Sequence, residues 1–365
     1  MMFPKLFSMG LEIGYAYTPF KWRNNAKRNA GVTVAVVSLR NISGAPKYLF
    51  SNNLRVSAQN INGYLVDFPN LVVEKALKPQ NGLPPMSSGS MPIDGGHLVL
   101  NKWEADRLSE DPRAARFIKR FVGTKEFVEG LDRFALWIPD GSRSEALAVP
   151  GIAQRVARVR EFRESRDRKA TKDLARLPWQ FGFKSYSPDP FILVPKSSSE
   201  RREYLPIGMM DPDTLISDLA FAVYGAEPWL FALISSRLHM VWARAVGGKF
   251  KEDPRYSNTL VYNTFPVPIL SGLAKEQLST AALRVLDVRE YHCDRTLAEL
   301  YDPDLMPMDL RRAHAEVDVL VDSLYSKRAY ESDEERLSDL FAMYETMIAD
   351  AAVKAPAKKT RGARK

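Results

Sequence analysis

Two apolar runs near the amino terminus place the strongest constraint on the fold. Residues 11–17 are apolar and aromatic, and residues 32–39 form a β-branched run typical of a buried central strand. Two such strands do not form a stable domain alone, because they need a larger sheet to join. The residues that follow offer no obvious source for that sheet. We therefore expect the chain to begin in the middle of a domain, with unpaired strand edges that favour aggregation.

The segment between these runs is predicted to be a polar loop that contacts DNA. It combines aromatic, amide and basic side chains, the mixture that proteins use for phosphates and base edges. The residues of interest here are Phe20, Lys21, Trp22, Asn24 and Asn25.

The pattern of predicted secondary structure changes twice in the rest of the chain. From about 46 to 268, short mixed elements alternate with Gly/Pro/Ser loops, of which residues 84–96 are the clearest. A helix is predicted over 152–168, and residues 213–240 indicate two helices split at 225–228. The polar face of the first helix is predicted to carry Arg155, Arg158, Arg160, Arg163, Arg166 and Arg168.

Beyond Pro268 nearly everything is predicted to be helical. Apolar spacing indicates helices over 278–300 and 309–324, with a turn at 301–307 between them. A capping box at Ser332 opens a final helix to about residue 348. The sequence therefore predicts an α+β protein whose carboxy-terminal part is an all-α bundle.

Charge is a poor guide to the partner of this chain. The net charge is +8, but residues 351–365 hold six basic residues and no acid, which leaves +2 for the other 350 residues. A tail of this composition is expected to be disordered, and it either holds phosphates without reading sequence or only aids solubility.

The compartment is predicted to be the cytoplasm, without membrane contact. No run approaches the ~20 apolar residues that span a bilayer, and the amino terminus lacks a secretory h-region. The single cysteine, Cys293, excludes a disulfide framework and is interpreted as a small buried residue on a helix.

The motifs of several enzyme classes are absent from the sequence. It has neither a Gly-rich turn after the first strand nor an Asn/Asp-Pro-Pro-aromatic loop, and it has no Walker loop or nucleophile elbow. The four histidines are interpreted as packed or surface residues rather than metal ligands: His97, His239, His292 and His314. We therefore predict no catalytic residue, no metal site and no cofactor bound by this chain alone.

Two further clusters resemble DNA-contact surfaces. The first contains Lys196, Ser198, Ser199, Arg201 and Arg202, which are predicted to present a row of donors at the exposed end of a strand at 191–194. The second contains Arg237, Arg244, Lys249 and Arg255. A solvated charged face is the alternative for both clusters, and Arg201 or Arg202 has the further alternative of an ion pair with Glu200 or Glu203.

At these clusters the sequence resembles the MmeI-like, type IIL restriction-modification family of adenine-specific DNA methyltransferases. The similarity covers roughly residues 5–348 and lies in motifs that occur in the family's order. They are FKWRNNAK at 20–27, MPIDGG at 91–96, FVGTKEF at 121–127, SSERREY at 198–204, YSNTLVYNTFPVP at 256–268, LYDP at 300–303 and AH at 313–314.

The resemblance implies a domain layout and a function. Residues 1–45 would be the last strands of a class I methyltransferase core, 46–268 an α/β target-recognition domain, 269–350 a helical domain and 351–365 a basic tail. The expected partner is double-stranded DNA. S-adenosylmethionine is expected for the full-length family, and Phe20 or Trp22 is a candidate wall for stacking a flipped adenine.

Two alternatives stay open beside a truncated methyltransferase. The chain is then either a stand-alone specificity subunit that works with a separately encoded catalytic subunit, or an unrelated hydrolase or carbohydrate enzyme. The last would need paired carboxylates, for which Asp94 and Glu126 are the candidates.

Overall fold

The computed structural model describes residues 2–22, 32–51, 54–250 and 253–354, and its contacts divide the chain into two compact units. Unit 1 comprises Met1–Leu83, Val241–Leu270 and Asp322–Lys365. Unit 2 comprises Pro84–Met240 and Ser271–Val321. Each unit is thus assembled from segments that are distant in sequence.

The strands are β1 (Leu11–Trp22), β2 (Val32–Asn41), β3 (Lys47–Ser51), β4 (Leu54–Ala58), β5 (Ser87–Ser88), β6 (Val99–Leu100), β7 (Ile118–Val122), β8 (Phe134–Leu136), β9 (Phe191–Pro195), β10 (Gly208–Met210), β11 (Thr214–Ile216), β12 (Ala220–Tyr224), β13 (Gly248–Phe250) and β14 (Asp253–Arg255). The helices are α1 (Phe3–Ser8), α2 (Lys102–Ser109), α3 (Pro112–Ala115), α4 (Thr124–Glu129), α5 (Arg143–Leu147), α6 (Pro150–Glu164), α7 (Lys169–Asp173), α8 (Pro228–Ser235), α9 (Arg237–Val246), α10 (Gly272–Tyr291), α11 (Leu297–Leu300), α12 (Met308–Ser323) and α13 (Asp333–Lys354). The alternation of short strands and helices, followed by helices alone, confirms the predicted α+β class.

The two amino-terminal runs form strands, but their setting differs from the prediction. The sheet of unit 1 has the order β2-β1-β3-β4, with β1 antiparallel to β2 and parallel to β3. The expectation that no later residues join these strands was wrong, because β3 and β4 belong to the same sheet and β1 is paired on both sides. The predicted buried central strand is instead the outer strand β2, in which Val36 is 43% and Leu39 is 41% exposed.

The core of unit 1 lies on one side of this sheet and around α13. Ile13, Ala16 and Leu49 are buried against partly buried residues of α1. On α13, the ring of Phe341 lies 5.0 Å from that of Tyr64 and 5.7 Å from that of Trp242. The final predicted helix is thus confirmed at its start and continues to Lys354, so the predicted tail from 351 begins inside it.

Unit 2 contains two four-stranded sheets, with the orders β10-β9-β12-β5 and β11-β7-β8-β6. The prediction of two helices over 213–240 was half wrong, because β11 and β12 precede α8. Every residue of β11 is buried, as are four of the five in β12. A short apolar run that is buried on both faces has no period of its own, and it is therefore easily mistaken for a helix. The split at Gly225 is the end of β12, where this glycine has a φ of 64°.

The helix predicted over 152–168 is α6, and it differs from the prediction in one important residue. Arg163 was placed on the polar face, yet it is 1% exposed. It shares the buried stripe of Ile152, Val156 and Val159. Its guanidinium donates to five main-chain oxygens at 2.7–3.0 Å, those of Pro92, Ile93, Leu174, Leu177 and Gln180.

The carboxy-terminal helices of unit 2 confirm the turn at 301–307 and shorten the first predicted helix. Helix α10 ends at Tyr291, and α11 covers only Leu297–Leu300. Cys293 lies exposed in the turn between them, so its interpretation as a buried helical residue was wrong. In the described part of the chain, no helix is both long and apolar enough to span a lipid bilayer.

Candidate nucleic-acid interface

The segment that carries the first Ser/Arg cluster leaves the end of a fully buried strand. All five residues of β9 are buried between β10 and β12, so the following residues start from a fixed point. Lys196 is held there from two sides. Its Nζ donates to Ser88 Oγ at 2.7 Å and lies 4.5 Å from the ring centre of Phe221. Its main-chain N–H donates to Thr124 Oγ1.

The serines of this segment are less exposed than predicted. Ser198 is 5% exposed, and its Oγ makes no hydrogen bond to any described residue. Ser199 is half-buried, and its Oγ accepts a hydrogen bond from the main-chain N–H of Arg201 at 3.3 Å. The predicted row of donors at an exposed strand end is therefore a partly buried turn.

Arg201 has a partner that the sequence analysis did not foresee. Its guanidinium forms ion pairs with Asp304 and with Asp302, the latter at 3.5 Å. The hydrogen bond to Asp304 and the negative charge of both carboxylates raise the pKa of Arg201. Glu203, the partner considered beforehand, instead pairs with Arg311 at 2.5 Å. Arg202 is half-buried.

One aspartate joins the Ser/Arg segment to the start of α9. Asp318 accepts a hydrogen bond from the hydroxyl of Tyr204 and another from the main-chain N–H of Arg237, each at 2.7 Å. The Tyr204 ring stacks on His314 with centroids 4.2 Å apart, and His314 Nε2 lies 2.9 Å from the hydroxyl of Tyr301. Burial raises the pKa of Tyr204 and lowers that of His314 to about 3, so both side chains are neutral at pH 7.

The structure therefore brings together four segments that the sequence analysis singled out separately. They are SSERREY at 198–204, the start of α9, LYDP at 300–303 and the pair at 313–314. The residues that join them, Asp302, Asp304 and Asp318, were missed as site residues. The signal that could have found them is the acidic residues close in sequence to the LYDP and AH motifs, in the turn at 301–307 and in α12.

The other predicted contact residues belong to unit 1. Arg244 on α9 and Arg255 on β14 are exposed. Lys249 lies in β13, which pairs with β14 in a short antiparallel hairpin. Lys21 lies in β1. Asn24 and Asn25, and the side chains of Lys21 and Lys249, fall outside the described residues.

Phe20 and Trp22 lie at the end of β1 and not in a loop. Phe20 pairs with Val34 and Trp22 with Val32 in the register with β2. The two rings are 6.3 Å apart and remain 38% and 50% exposed. For the residues up to Trp22 the loop prediction was wrong, because an aromatic pair continues a strand as readily as it lines a loop. The rest of the predicted loop lies outside the described residues.

The residues considered for other chemistries have structural partners. Asp94 accepts hydrogen bonds from the main-chain N–H groups of Gly96, Leu98 and Val99. Glu126 accepts from Gly123 N–H and from Arg133. Within the described ranges, no group of three or more His, Cys, Asp or Glu residues is placed to hold a metal ion.

Family models match the chain along most of its length. The target-recognition domain of MmeI matches residues 67–269, which is more than half of the chain. The chain belongs to the MmeI-like family of DNA methyltransferases. The MmeI carboxy-terminal domain matches residues 271–352, and the MmeI DNA-methyltransferase domain matches residues 1–51. These matches confirm the predicted fold, in which the end of a methyltransferase sheet precedes a recognition domain and a helical domain.

Two relatives support the same membership. DNA methyltransferase A of Bacillus subtilis (strain 168) is 39% identical over 349 residues, which are 95% of this chain and 40% of that protein. The solved structure of the type IIL restriction-modification enzyme MmeI in complex with DNA has a TM-score of 0.83 and 32% identity, over 95% of this chain and 47% of that chain. This MmeI-like chain thus spans less than half the length of both relatives.

The sequence that follows the two parallel strands of this MmeI-like chain lacks the residue types that hold S-adenosylmethionine. In sheets of this kind a cofactor binds at the carboxyl ends of parallel strands, on a Gly-rich turn and an acidic side chain. The parallel strands β1 and β3 are followed in the sequence by Arg23 and Asn24 and by Asn52 and Asn53. Neither site is rich in glycine or acidic, so no step of methyl transfer is assigned to these residues.

Proposed function

We propose that this chain supplies the DNA-recognition part of a site-specific adenine-N6 DNA methyltransferase of a restriction-modification system. The target-recognition match over residues 67–269 carries the proposal. MmeI was solved in complex with DNA, which supports duplex DNA as the partner here. Because this sequence lacks the methyltransferase motifs, we propose that S-adenosylmethionine and the catalytic loop belong to residues outside it. The domain limits 1–45, 46–268, 269–350 and 351–365 remain part of this proposal.

The Ser/Arg segment and α9 are the proposed contacts with the DNA backbone. Lys196 and Arg237 both start from fixed main-chain positions, so little ordering is needed when they meet phosphate. The remaining proposed contacts are Lys21, Asn24, Asn25, Ser198, Ser199, Arg202, Arg244, Lys249 and Arg255. Arg201 joins them only when Asp302 and Asp304 release its guanidinium. Phosphate contacts add affinity without sequence preference, so base reading is assigned to other side chains.

A salt titration tests the proposed DNA binding. Fluorescence anisotropy of a labelled random duplex is measured from 50 to 300 mM KCl. The test uses the unaltered chain and a variant in which the six basic residues of 351–365 are glutamine. We expect log K to fall linearly with log salt concentration for both proteins, because each neutralised phosphate contributes a slope of about −0.9. Loss of all salt-dependent binding in the tail variant would refute recognition by the folded units.

The aromatic pair at the end of β1 is proposed as a stacking wall for the flipped adenine. An exposed indole at a strand end is available to a base without unfolding the strand. In enzyme reconstituted with the catalytic half, Trp22→Ala should abolish the 2-aminopurine fluorescence change that reports flipping, while duplex affinity stays within about twofold. Equal loss of affinity and flipping would instead indicate that Trp22 only supports the fold.

The alternative is a separate specificity subunit that acts with a separately encoded methyltransferase subunit. The chain's 40% share of its Bacillus relative is the observation that keeps it open. Transfer of labelled methyl groups to DNA, measured with the chain alone and after addition of a separately expressed catalytic domain, separates the possibilities. Methylation that appears only in the mixture supports a two-part enzyme, whereas methylation by the chain alone contradicts both proposals.

A further inference from the structure

The positive charge of the chain outside its tail is concentrated in one segment. Residues 155–176 contain nine basic and four acidic residues, a net charge of +5. Residues 1–350 as a whole carry +2, so all the others together carry −3. None of the residues proposed above as DNA contacts lies in this segment.

Most of these charges face solvent without a carboxylate partner. Seven of the nine basic residues are exposed, and none of the seven has an acidic group of the described residues within 4.0 Å: Arg158, Arg160, Arg166, Arg168, Lys169, Lys172 and Arg176. We call these seven residues the α6–α7 surface. Three exposed cations elsewhere in unit 2 do have such a partner, since Arg116, Lys125 and Arg284 each pair with a glutamate.

A rigid element carries this surface. Helix α6 buries Ile152, Val156 and Val159 in the core of unit 2. The buried Arg163 ties the same helix to a main-chain oxygen that precedes it in the sequence, that of Pro92, and to one that follows it, that of Gln180. The backbone of α6 is therefore already ordered, and binding needs to fix only side-chain rotamers.

A groove of about 730 Å³ between α2, α3 and α6 extends the surface at Arg158. Trp103 in this groove is 65% exposed, and the guanidinium of Arg107 lies 5.3 Å from its ring centre. Two of the carboxylates in the groove, Glu104 and Asp111, are neutralised by ion pairs with arginines. Four arginines and three carboxylates line the groove, so its net charge is +1 and the excess of positive charge extends from α6 into it.

We propose that the α6–α7 surface is a second, sequence-independent contact for the phosphate backbone of duplex DNA. The inference rests on the proposed function and adds a binding surface to it. Five of the seven cations are arginines, whose planar guanidinium binds phosphate in a bidentate manner. The apolar stripe of α6 is buried, so the helix offers no apolar face for insertion into a lipid surface.

The test compares two variants that lose the same charge. The first is R158Q/R160Q/R166Q/R168Q. The matched control is R116Q/K125Q/K184Q/R284Q, which removes four exposed cations of unit 2 that are held in ion pairs. Both are made in the full chain with the six tail charges neutralised, and their thermal unfolding is checked first. Anisotropy with a random duplex between 50 and 300 mM KCl then gives the slope of log K against log salt.

We expect the magnitude of the slope to be smaller by about 2–4 in the first variant than in the parent. Its affinity for DNA at 100 mM KCl should be lower by at least about tenfold. The control should keep the slope of the parent. Equal slopes for the first variant and the parent would overturn this inference alone. An equal loss of slope in the control variant would overturn it too. The same holds if the four substitutions weaken binding to phosphatidylserine vesicles or to polyglutamate while DNA binding stays unchanged. A parent that shows no salt-dependent DNA binding would overturn the proposed function as well.

Discussion

Replacement of Arg163 by methionine is the most direct test of how unit 2 is held together. The arginine brings five N–H donors to five main-chain oxygens, at distances from 2.7 Å for Gln180 to 3.0 Å for Pro92 and Leu174. These oxygens come from the loop before β6 and from the segment after α7. Methionine fills the volume of the aliphatic stem but removes the guanidinium donors. The oxygens of Pro92, Leu174 and Leu177 keep a main-chain N–H donor, whereas those of Ile93 and Gln180 keep no donor among the described residues.

The expected loss of stability follows from these contacts. A hydrogen bond to a charged group contributes about 1.5–3 kcal/mol, but five of them do not add because burial of the guanidinium costs several kcal/mol. Each buried acceptor left unsatisfied costs about 1–3 kcal/mol, so the oxygens of Ile93 and Gln180 together cost about 2–6 kcal/mol. For a unit of about 200 residues, each kcal/mol shifts Tm by about 2–4 °C. We therefore expect Arg163→Met to lower the Tm of unit 2 by about 4–24 °C.

Thermal unfolding followed by circular dichroism and by tryptophan fluorescence measures this effect. The matched control is Arg160→Met, which makes the same chemical change at an exposed position of the same helix and should lie within about 0.5 kcal/mol of the parent. A Tm for Arg163→Met within 2 °C of the control would refute the reasoning. It would mean that water satisfies the oxygens of Ile93 and Gln180 at no cost.

Two further predictions concern acid. Hydrogen bonds from Lys47 and Arg40 outweigh the effect of burial and lower the pKa of Glu12 to about 2, so its stabilisation is present above about pH 4.5 and is lost as pH falls toward 2. Glu12→Gln should flatten Tm against pH in that window, and an unchanged curve would contradict the ion pairs. Burial lowers the pKa of His314 to about 3, so its contribution is lost as pH falls from about 6.5 toward 3. His314→Gln should remove the fall in Tm between about pH 6.5 and 3, while the glutamine still offers a hydrogen-bond partner to Tyr301. A Tm that still falls over this range in the variant would contradict the burial of a neutral His314 ring.

Local patterns predicted those elements whose periodicity is undisturbed. Helices α6, α12 and α13 bury apolar residues on one stripe, and their spacing is visible in the sequence. Strands β11 and β12 were not predicted, since runs of three and five residues that are buried on both faces show no alternation. The sequence analysis also missed that β3 and β4 join β1 in one sheet. This pairing was not predicted because no local pattern in the sequence encodes it.

The candidate site was predicted as a set of motifs and not as a set of contacts. The residue types of SSERREY suggest phosphate binding, but they do not state which charges lie beside them in the folded chain. Asp304 is more than a hundred residues from Arg201, and Asp318 is as distant from Tyr204. Ion pairs between residues so far apart in sequence decide whether an arginine is available to bind phosphate. They form only in the tertiary structure.

Arg201 makes this distinction measurable. Because Asp302 and Asp304 hold its guanidinium, we expect Arg201→Gln to leave the salt slope of DNA binding unchanged. The double variant D302N/D304N frees the cation, and the slope should then grow in magnitude by about 1, which corresponds to one added phosphate contact. The same double variant in the Arg201→Gln background should add nothing to the slope, which isolates the coupling between the three residues. A slope that falls by about 1 in Arg201→Gln alone would show instead that phosphate displaces both carboxylates when DNA binds, and that the ion pairs of the free chain do not determine how Arg201 is used.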